Sequence, residues 1–230
     1  MGRKVKLSRD DWINAASDWV AAHGVATLAV EPLARALGVT KGGFYWCFAN
    51  RDELLQAVLE RWEAQGTQNI IHLVEQLPDA AAQARELIRL VARSVEPQAR
   101  GPSTAVRMQY ALWGASHDPL VAPVIERVTA ARVGFLIQVF TQAGLDVAVA
   151  EHRATLAYAS YVGMVLLRAT QAGAEAAGMG RDGLIDAYIT MLLTPPMAEP
   201  PKPPKPPKPP KPPNASTPPR GSSRIRRSTR

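Results

Sequence analysis

The chain is poor in the residues on which most protein chemistry depends. A single cysteine, Cys47, excludes a disulfide framework and any zinc site built from several thiolates. No two of the four histidines, His23, His72, His117 and His152, lie at a helical metal-binding spacing with a carboxylate. No phosphate-binding glycine loop, dinucleotide fingerprint or nucleophile elbow occurs. Neither catalysis nor a metal nor a cofactor is therefore expected. Long apolar runs are missing too. The longest uncharged stretch, Ala154–Leu167, is 14 residues between two arginines, whereas a membrane-spanning helix needs roughly 18 or more. Asp10 and Asp11 follow the basic N-terminus before any apolar run, unlike a signal peptide, and Lys6 breaks the myristoylation pattern. A soluble, cytoplasmic protein of bacterial type, with no membrane partner, is expected.

Acid is absent from one region. The 230 residues hold 27 Lys and Arg against 20 Asp and Glu, a net charge of +7. Nine of those positives, and no acid, lie in Pro200–Arg230, so the first 199 residues carry 18 positives and 20 negatives, a net of −2. Fourteen of the 20 prolines fall from Pro195 onward. Lys202, Lys205, Lys208 and Lys211 recur at every third position, and polyproline II has three residues per turn, which would line the ammonium groups along one edge about 9 Å apart. Residues 196–230 are expected to be a disordered Pro/Lys/Arg-rich tail. It would lend sequence-independent attraction to DNA, be a solvated extension without a role, or dock a proline-binding partner.

The rest reads as helix. Trp12, Ile13, Ala16, Trp19 and Val20 fall at helical spacing over 8–22, with Ser8 placed to cap and Asp11 three residues on. A short helix fits 30–37, with Pro32 in its first turn, and Gly38 ends it. Thr40 then caps a helix over 41–48, and Asn50 caps the next, with Leu54, Leu55, Val58 and Trp62 as its apolar stripe. Further helices fit 51–76, 80–96, 103–115, 119–143, 147–173 and 181–193, and no segment reads as a strand. The expected class is all-α. The last two helices are apolar on most sides, which suggests burial against a second subunit.

Helices over 30–37 and 41–48, joined by a tight turn at Gly38, make a helix-turn-helix unit. The second would be the reading helix. Thr40, Lys41, Gly42 and Gly43 open it: Lys41 offers charge to phosphate or guanine, and the glycines permit close approach. Tyr45 and Trp46 follow as large contact groups, while Phe44 and Phe48, four apart, face the core. Trp46 also admits a partly buried packing role. Cys47, beside aromatics, reads as a small core filler rather than a redox switch.

The stretch GVATLAVEPLARALGVTKGGFYWCFANRDELLQAVLE, residues 24–60, resembles the N-terminal domain of TetR-type (TetR/AcrR) transcriptional regulators in the spacing of Gly24, Leu33-Ala34, Gly38-Val39, Lys41-Gly42, Tyr45, Phe48 and Leu54-Leu55. The likeness covers about 55 residues, Leu7 to Arg61. It implies a helix-turn-helix domain over 1–50, a helical effector-binding and dimerising domain over 51–195, and a homodimeric repressor of a near-palindromic double-stranded operator released by a small molecule. By position it adds Arg51, Ser8 and Arg9 to the DNA-facing set. The chain departs from the family pattern at Ala29, where Ser or Thr usually caps, at Glu31, where Arg is common, at Gly43, where a hydroxyl is common, and at Cys47, where His is frequent.

For the effector, Trp62, Met108, Trp113, Phe135, Tyr158, Tyr161 and Met164 are the candidate lining, and Arg107, Gln109 and Arg168 the candidate polar groups. Two rival readings remain: a nucleoid-type binder relying on the tail, and a helical ligand- or partner-binding protein that has lost specific DNA binding, motivated by Ala29 and Glu31.

Overall fold

A computed structural model describes residues 7–94, 103–169 and 181–194. The chain divides into two units, Met1–Pro195 and Pro196–Arg230. The second, with the expected tail, lies outside the described residues, as do the ends of two expected helices at 95–96 and 170–173. No strand occurs among the described residues, so the all-α expectation holds. In order they form α1 (Arg9–His23), a 3-10 turn (Val25–Thr27), α2 (Val30–Ala36), α3 (Lys41–Phe44), α4 (Arg51–Glu63), a π turn (Ala64–Gln68), α5 (Asn69–Glu75), α6 (Ala80–Ser94), α7 (Thr104–Gly114), α8 (Ala122–Gln142), α9 (Val147–Ala169) and α10 (Arg181–Leu193).

Two caps are made as the sequence leads one to expect. Asp11 N–H donates to Ser8 Oγ at 3.2 Å while Ser8 N–H donates to Asp11 Oδ2 at 2.8 Å, a reciprocal box that satisfies two orphan donors of α1. Glu53 N–H donates to Asn50 Oδ1 at 2.9 Å at the start of α4. Thr40 departs from expectation: it occupies the cap position of α3, but its hydroxyl makes no capping bond. The third helix is also shorter than the expected 41–48, ending at Phe44 and continuing as a turn. Two consecutive glycines, each costing about 1 kcal/mol relative to alanine, leave little intrinsic support for more. Helix α8 begins at Ala122 rather than 119, because Asp118 spends its carboxylate and carbonyl on the turn before it, accepting from Leu120, Val121 and Ala122 N–H.

Apolar residues collect in two main clusters. The first joins α1, α2, α3 and α4 around Trp12, Val20, Leu33, Phe44, Leu54 and Leu55, and also takes in Met108 and Leu112 of α7 and Ile125 of α8. The second joins α5, α6, α8, α9 and α10 around Val74, Ile88, Phe140, Ala154 and Leu192. Helix α4 serves both regions. Its first half is buried in the N-terminal cluster, and beyond Glu63 the chain passes without a break through the π turn into α5. Sequence periodicity reads 51–76 as one regular helix; the structure inserts the π turn at Ala64–Gln68.

Glu63, at the end of α4, clamps this junction to α8. Its carboxylate accepts from Arg127 Nε at 2.9 Å and Nη2 at 2.6 Å, in a forked arrangement. The hydrogen bond and the charge of Arg127 hold the Glu63 carboxyl below its ordinary value, against the opposing pull of burial. A carboxyl with a lower pKa in the folded than in the unfolded chain stabilises the fold while ionised, and that contribution disappears as the pH falls through the folded value. Glu63→Gln is therefore expected to cost about 1 kcal/mol at neutral pH and nothing once the pH lies below the range in which Glu63 titrates. Parallel denaturation of both proteins across pH checks this; an unchanged difference in acid would refute it.

Candidate nucleic-acid interface and internal cavity

The α2–α3 turn rests on Gly38. Its φ of +67° lies in the left-handed region, and it lets Val39 N–H reach Ala34 O at 3.0 Å to close α2. No atom crowds a Cβ built there, so the demand for glycine is conformational. Helix α3 then presents one face inward. Phe44 and Phe48 are buried, Phe44 meeting Trp12 edge-on at 5.4 Å and stacking on Phe48 at 5.5 Å. Burying these two rings turns the opposite face outward. Thr40, Lys41, Gly42, Gly43, Tyr45 and Trp46 are all exposed, Tyr45 at 58% and Trp46 at 84%. A packing role for Trp46 is excluded by that exposure. Cys47 is half-buried against Leu7, as a core filler would be.

Three of the expected DNA-facing residues also have partners within the chain. The Ser8 hydroxyl belongs to the α1 cap. Arg9 donates to Cys47 O at 2.7 Å and Glu53 Oε1 at 3.0 Å, with its guanidinium 4.2 Å from the centre of the Phe48 ring. Arg51 donates to Val25 O at 2.9 Å, Leu28 O at 3.3 Å and Asp52 Oδ1 at 2.9 Å. Both arginines act as struts that fix the α3–α4 corner and the 3-10 turn. Carbonyls at the ends of short helical turns keep room for a guanidinium, and sequence position alone does not reveal it.

Lys41 is presented, but not alone. Its ammonium donates to Glu31 Oε1 at 2.8 Å, an exposed pair bridging α2 and α3. The hydrogen bond, more than the charge, holds Glu31 below and Lys41 above their ordinary values. Any phosphate or base that takes Lys41 must first compete with this carboxylate. Glu31→Gln is thus expected to raise affinity for duplex DNA severalfold, and more at low salt. Titration of a labelled duplex at two salt concentrations checks it; unchanged or weaker binding would refute it.

Behind this domain lies a cavity of about 520 Å³ between α4, the π turn, α5, α6, α7, α8 and α9. Trp62, Met108, Phe135, Tyr158 and Tyr161 line it as expected, and Gln109 with them. Trp113 does not: α7 runs out of the cavity after Gln109, and Trp113, a turn further on, packs against the N-terminal cluster. Met164 packs with Val106 and Val165 instead, Arg107 is not part of the lining, and the side chain of Arg168 lies outside the described residues. Sequence reading missed Arg132, which supplies the main polar group. Its Nε donates to Thr67 Oγ1 at 3.0 Å, Nη1 to Gln109 Oε1 at 3.2 Å and Nη2 to Gly66 O at 3.2 Å. The guanidinium lies between Trp62 and Tyr161, 5.3 and 5.7 Å from their ring centres. Burial pushes the Tyr161 hydroxyl above its ordinary pKa, so it stays protonated and donates toward Gln109 at 3.5 Å. The overlooked signal was spacing. Arg132 falls on the buried α8 stripe of Ile125, Val128, Phe135 and Val139, where a charge requires a reason.

Comparison with known proteins places these features. Residues 13–58 match the family described as bacterial regulatory proteins, tetR family. Over 56 residues the chain is 41% identical to an uncharacterised HTH-type transcriptional regulator, TtgW, of Pseudomonas putida; this spans 24% of the chain and 42% of that protein, less than half its length. Among solved structures, the transcriptional regulator FadR from Bacillus subtilis in complex with stearoyl-CoA is similar over 81% of this chain and 98% of its own, with a TM-score of 0.60 and 15% identity. AibR in complex with isovaleryl coenzyme A and operator DNA is similar over 80% and 97%, with a TM-score of 0.58 and 19% identity. At such identities the likeness is one of fold.

Proposed function

From a chain that carries a tetR-type domain over residues 13–58, we propose a sequence-specific, homodimeric transcriptional repressor whose hold on DNA is released by a small molecule in the cavity. The observation that carries the reading is the outward face of α3. Burial of Phe44 and Phe48 presents Lys41, the two glycines, Tyr45 and Trp46 together, a cation and two large contact groups on a segment narrow enough for the major groove. Thr40 sits at its start. Ser8, Arg9 and Arg51 brace that face through their own contacts, and a phosphate reaching any of them would compete with those contacts. In this reading residues 1–50 contact the operator, and 51–195 bind the effector and pair the subunits.

Pairing is supported by α9. Leu156, Ala159, Gly163 and Leu166 recur at helical spacing on one side, and Leu156 is 61% exposed. The residues between the leucines are small, which lets a second helix approach closely. Met191 adds exposed apolar surface on α10. Release is supported by α4, since Leu54, Leu55 and Leu59 are buried with the reading unit while Trp62 and the adjoining Gly66 and Thr67 line the cavity. A ligand that binds one setting of this helix more tightly shifts the population toward it. An effector of acyl type is in keeping with the acyl-CoA complexes among the structural neighbours.

Selection from a random duplex library tests the proposal. It should enrich a near-palindrome with half-sites one turn apart, roughly 34–36 Å, or a multiple of it. A library that returns no enriched sequence would refute it and favour a ligand-binding protein without specific DNA binding, the reading to which the Glu31–Lys41 pair lends some weight. Equal affinity for every duplex would favour a binder working through its basic tail.

A further inference from the structure

The cavity holds two guanidinium groups and no acid among its lining residues. The two differ in one respect. Arg61 is compensated, donating to Asp10 as an ion pair and to Asn14 Oδ1 at 2.7 Å. Arg132 makes no ion pair among the described residues; its partners Thr67, Gln109, Gly66 and the Tyr161 hydroxyl are all neutral. A half-buried positive charge facing apolar walls without a counter-charge is costly to leave so. Guanidinium has five N–H donors. Three of these go to Thr67, Gln109 and Gly66, and the neutral Tyr161 hydroxyl is the partner nearest the rest, one that a carboxylate binding by two oxygens would displace at little cost. A Cβ on Gly66 would lie 3.3 Å from Arg132 Nη2, so glycine in the π turn keeps room at that nitrogen. Most of the remaining wall is apolar or aromatic, Trp62, Ile70, Ile88, Phe135 and Tyr158 among it, with Ser17, Gln65 and Thr104 as neutral polar groups.

We propose that the cavity binds a carboxylate with an apolar body, its carboxyl oxygens on Arg132 and its body between Trp62, Ile88, Phe135 and Tyr158. This deepens the effector reading above and rests on it for its regulatory meaning, but not for binding itself. The test uses the full chain and a panel of decanoate, phenylbutyrate and cholate, each beside its carboxamide, with decanoyl-CoA as a separate arm. Thermal shift and tryptophan fluorescence report binding. At least one acid is expected to bind about tenfold or more tightly than its amide, the margin of a charge-assisted fork over a neutral bond. In Arg132→Met that preference should shrink to about twofold, and in Arg132→Lys it should partly survive. Arg132→Gln repeats the measurement should the methionine variant melt early by circular dichroism.

Equal binding of acids and amides, binding of the thioester alone, a preference intact in both neutral variants, or no binding by any panel member each overturns the proposal. Acid binding in a protein that selects no operator would sink the repressor and leave this site standing. An operator selected by a protein indifferent to every acid would do the reverse.

Discussion

Phe44→Ala is expected to destabilise the N-terminal helices by about 3–5 kcal/mol, the cost of emptying a large aromatic site in a core that relaxes only partly. The ring has no exposed surface and sits against Trp12, Phe48 and the edge of Tyr45, at 5.4, 5.5 and 5.3 Å between centres. Helix α3 is only four residues long and begins with a lysine and two glycines, so it has little propensity of its own. Phe44 is the side chain that holds it to α1. A loss of that size is a large part of the roughly 5–15 kcal/mol that keeps a typical domain folded. Chemical denaturation should show the N-terminal region melting early, and DNA binding should vanish with it. Tyr45→Ala, one residue on but exposed, should change stability by less than about 0.5 kcal/mol. Similar stability for the two variants would overturn the assignment of inner and outer faces.

The second large effect concerns DNA. Lys41→Ala with Tyr45→Ala is expected to weaken operator binding by roughly 2–6 kcal/mol without unfolding the protein, each contact contributing about 1–3 kcal/mol. The contributions should be separable. If Lys41 meets phosphate, its loss weakens all duplexes alike and lowers the salt slope by about one. If it meets a guanine edge, discrimination at one operator position relaxes instead. Tyr45, beside it, has no charge to screen, so its loss should leave the salt slope unchanged. A footprint that persists undiminished in the double variant would remove α3 from the interface.

Much of this was legible in the residues. The caps at Ser8 and Asn50, the turn at Gly38 and the burial of Phe44 and Phe48 are local properties, set by a hydroxyl or amide at the right offset, a backbone without Cβ, and rings four apart. Trp62, Met108, Phe135, Tyr158 and Tyr161 line the cavity for a similar reason, since large apolar side chains on bundle helices point inward. What was not legible depends on distant partners. Arg9 and Arg51 look like presented cations until the carbonyls of Cys47, Val25 and Leu28 are brought to them by folding. Trp113 misled because composition does not say where α7 leaves the cavity. The place of Arg132 on the buried α8 stripe is legible, but its acceptors Thr67 and Gly66 are not, since they lie far back in the chain in a π turn that periodicity does not announce.

That turn has a consequence for the inheritance of this sequence. A π turn amounts to one residue more than an α-helix would use, and one residue is a rotation of about 100° at roughly 3.6 per turn. It keeps two faces in phase with different cores: Leu55 and Leu59 upstream with the N-terminal cluster, Ile70 and Val74 downstream with the second cluster. Loss of a single codon between Ala64 and Gln68 would relax the turn into plain helix and leave α5 in phase with its partners, whereas a plain helix over the present length would swing every later side chain of α5 by about 100°. Descendants of this chain can thus lose one residue here and keep both cores, at the expense of the hydrogen bonds that Gly66 and Thr67 accept from Arg132.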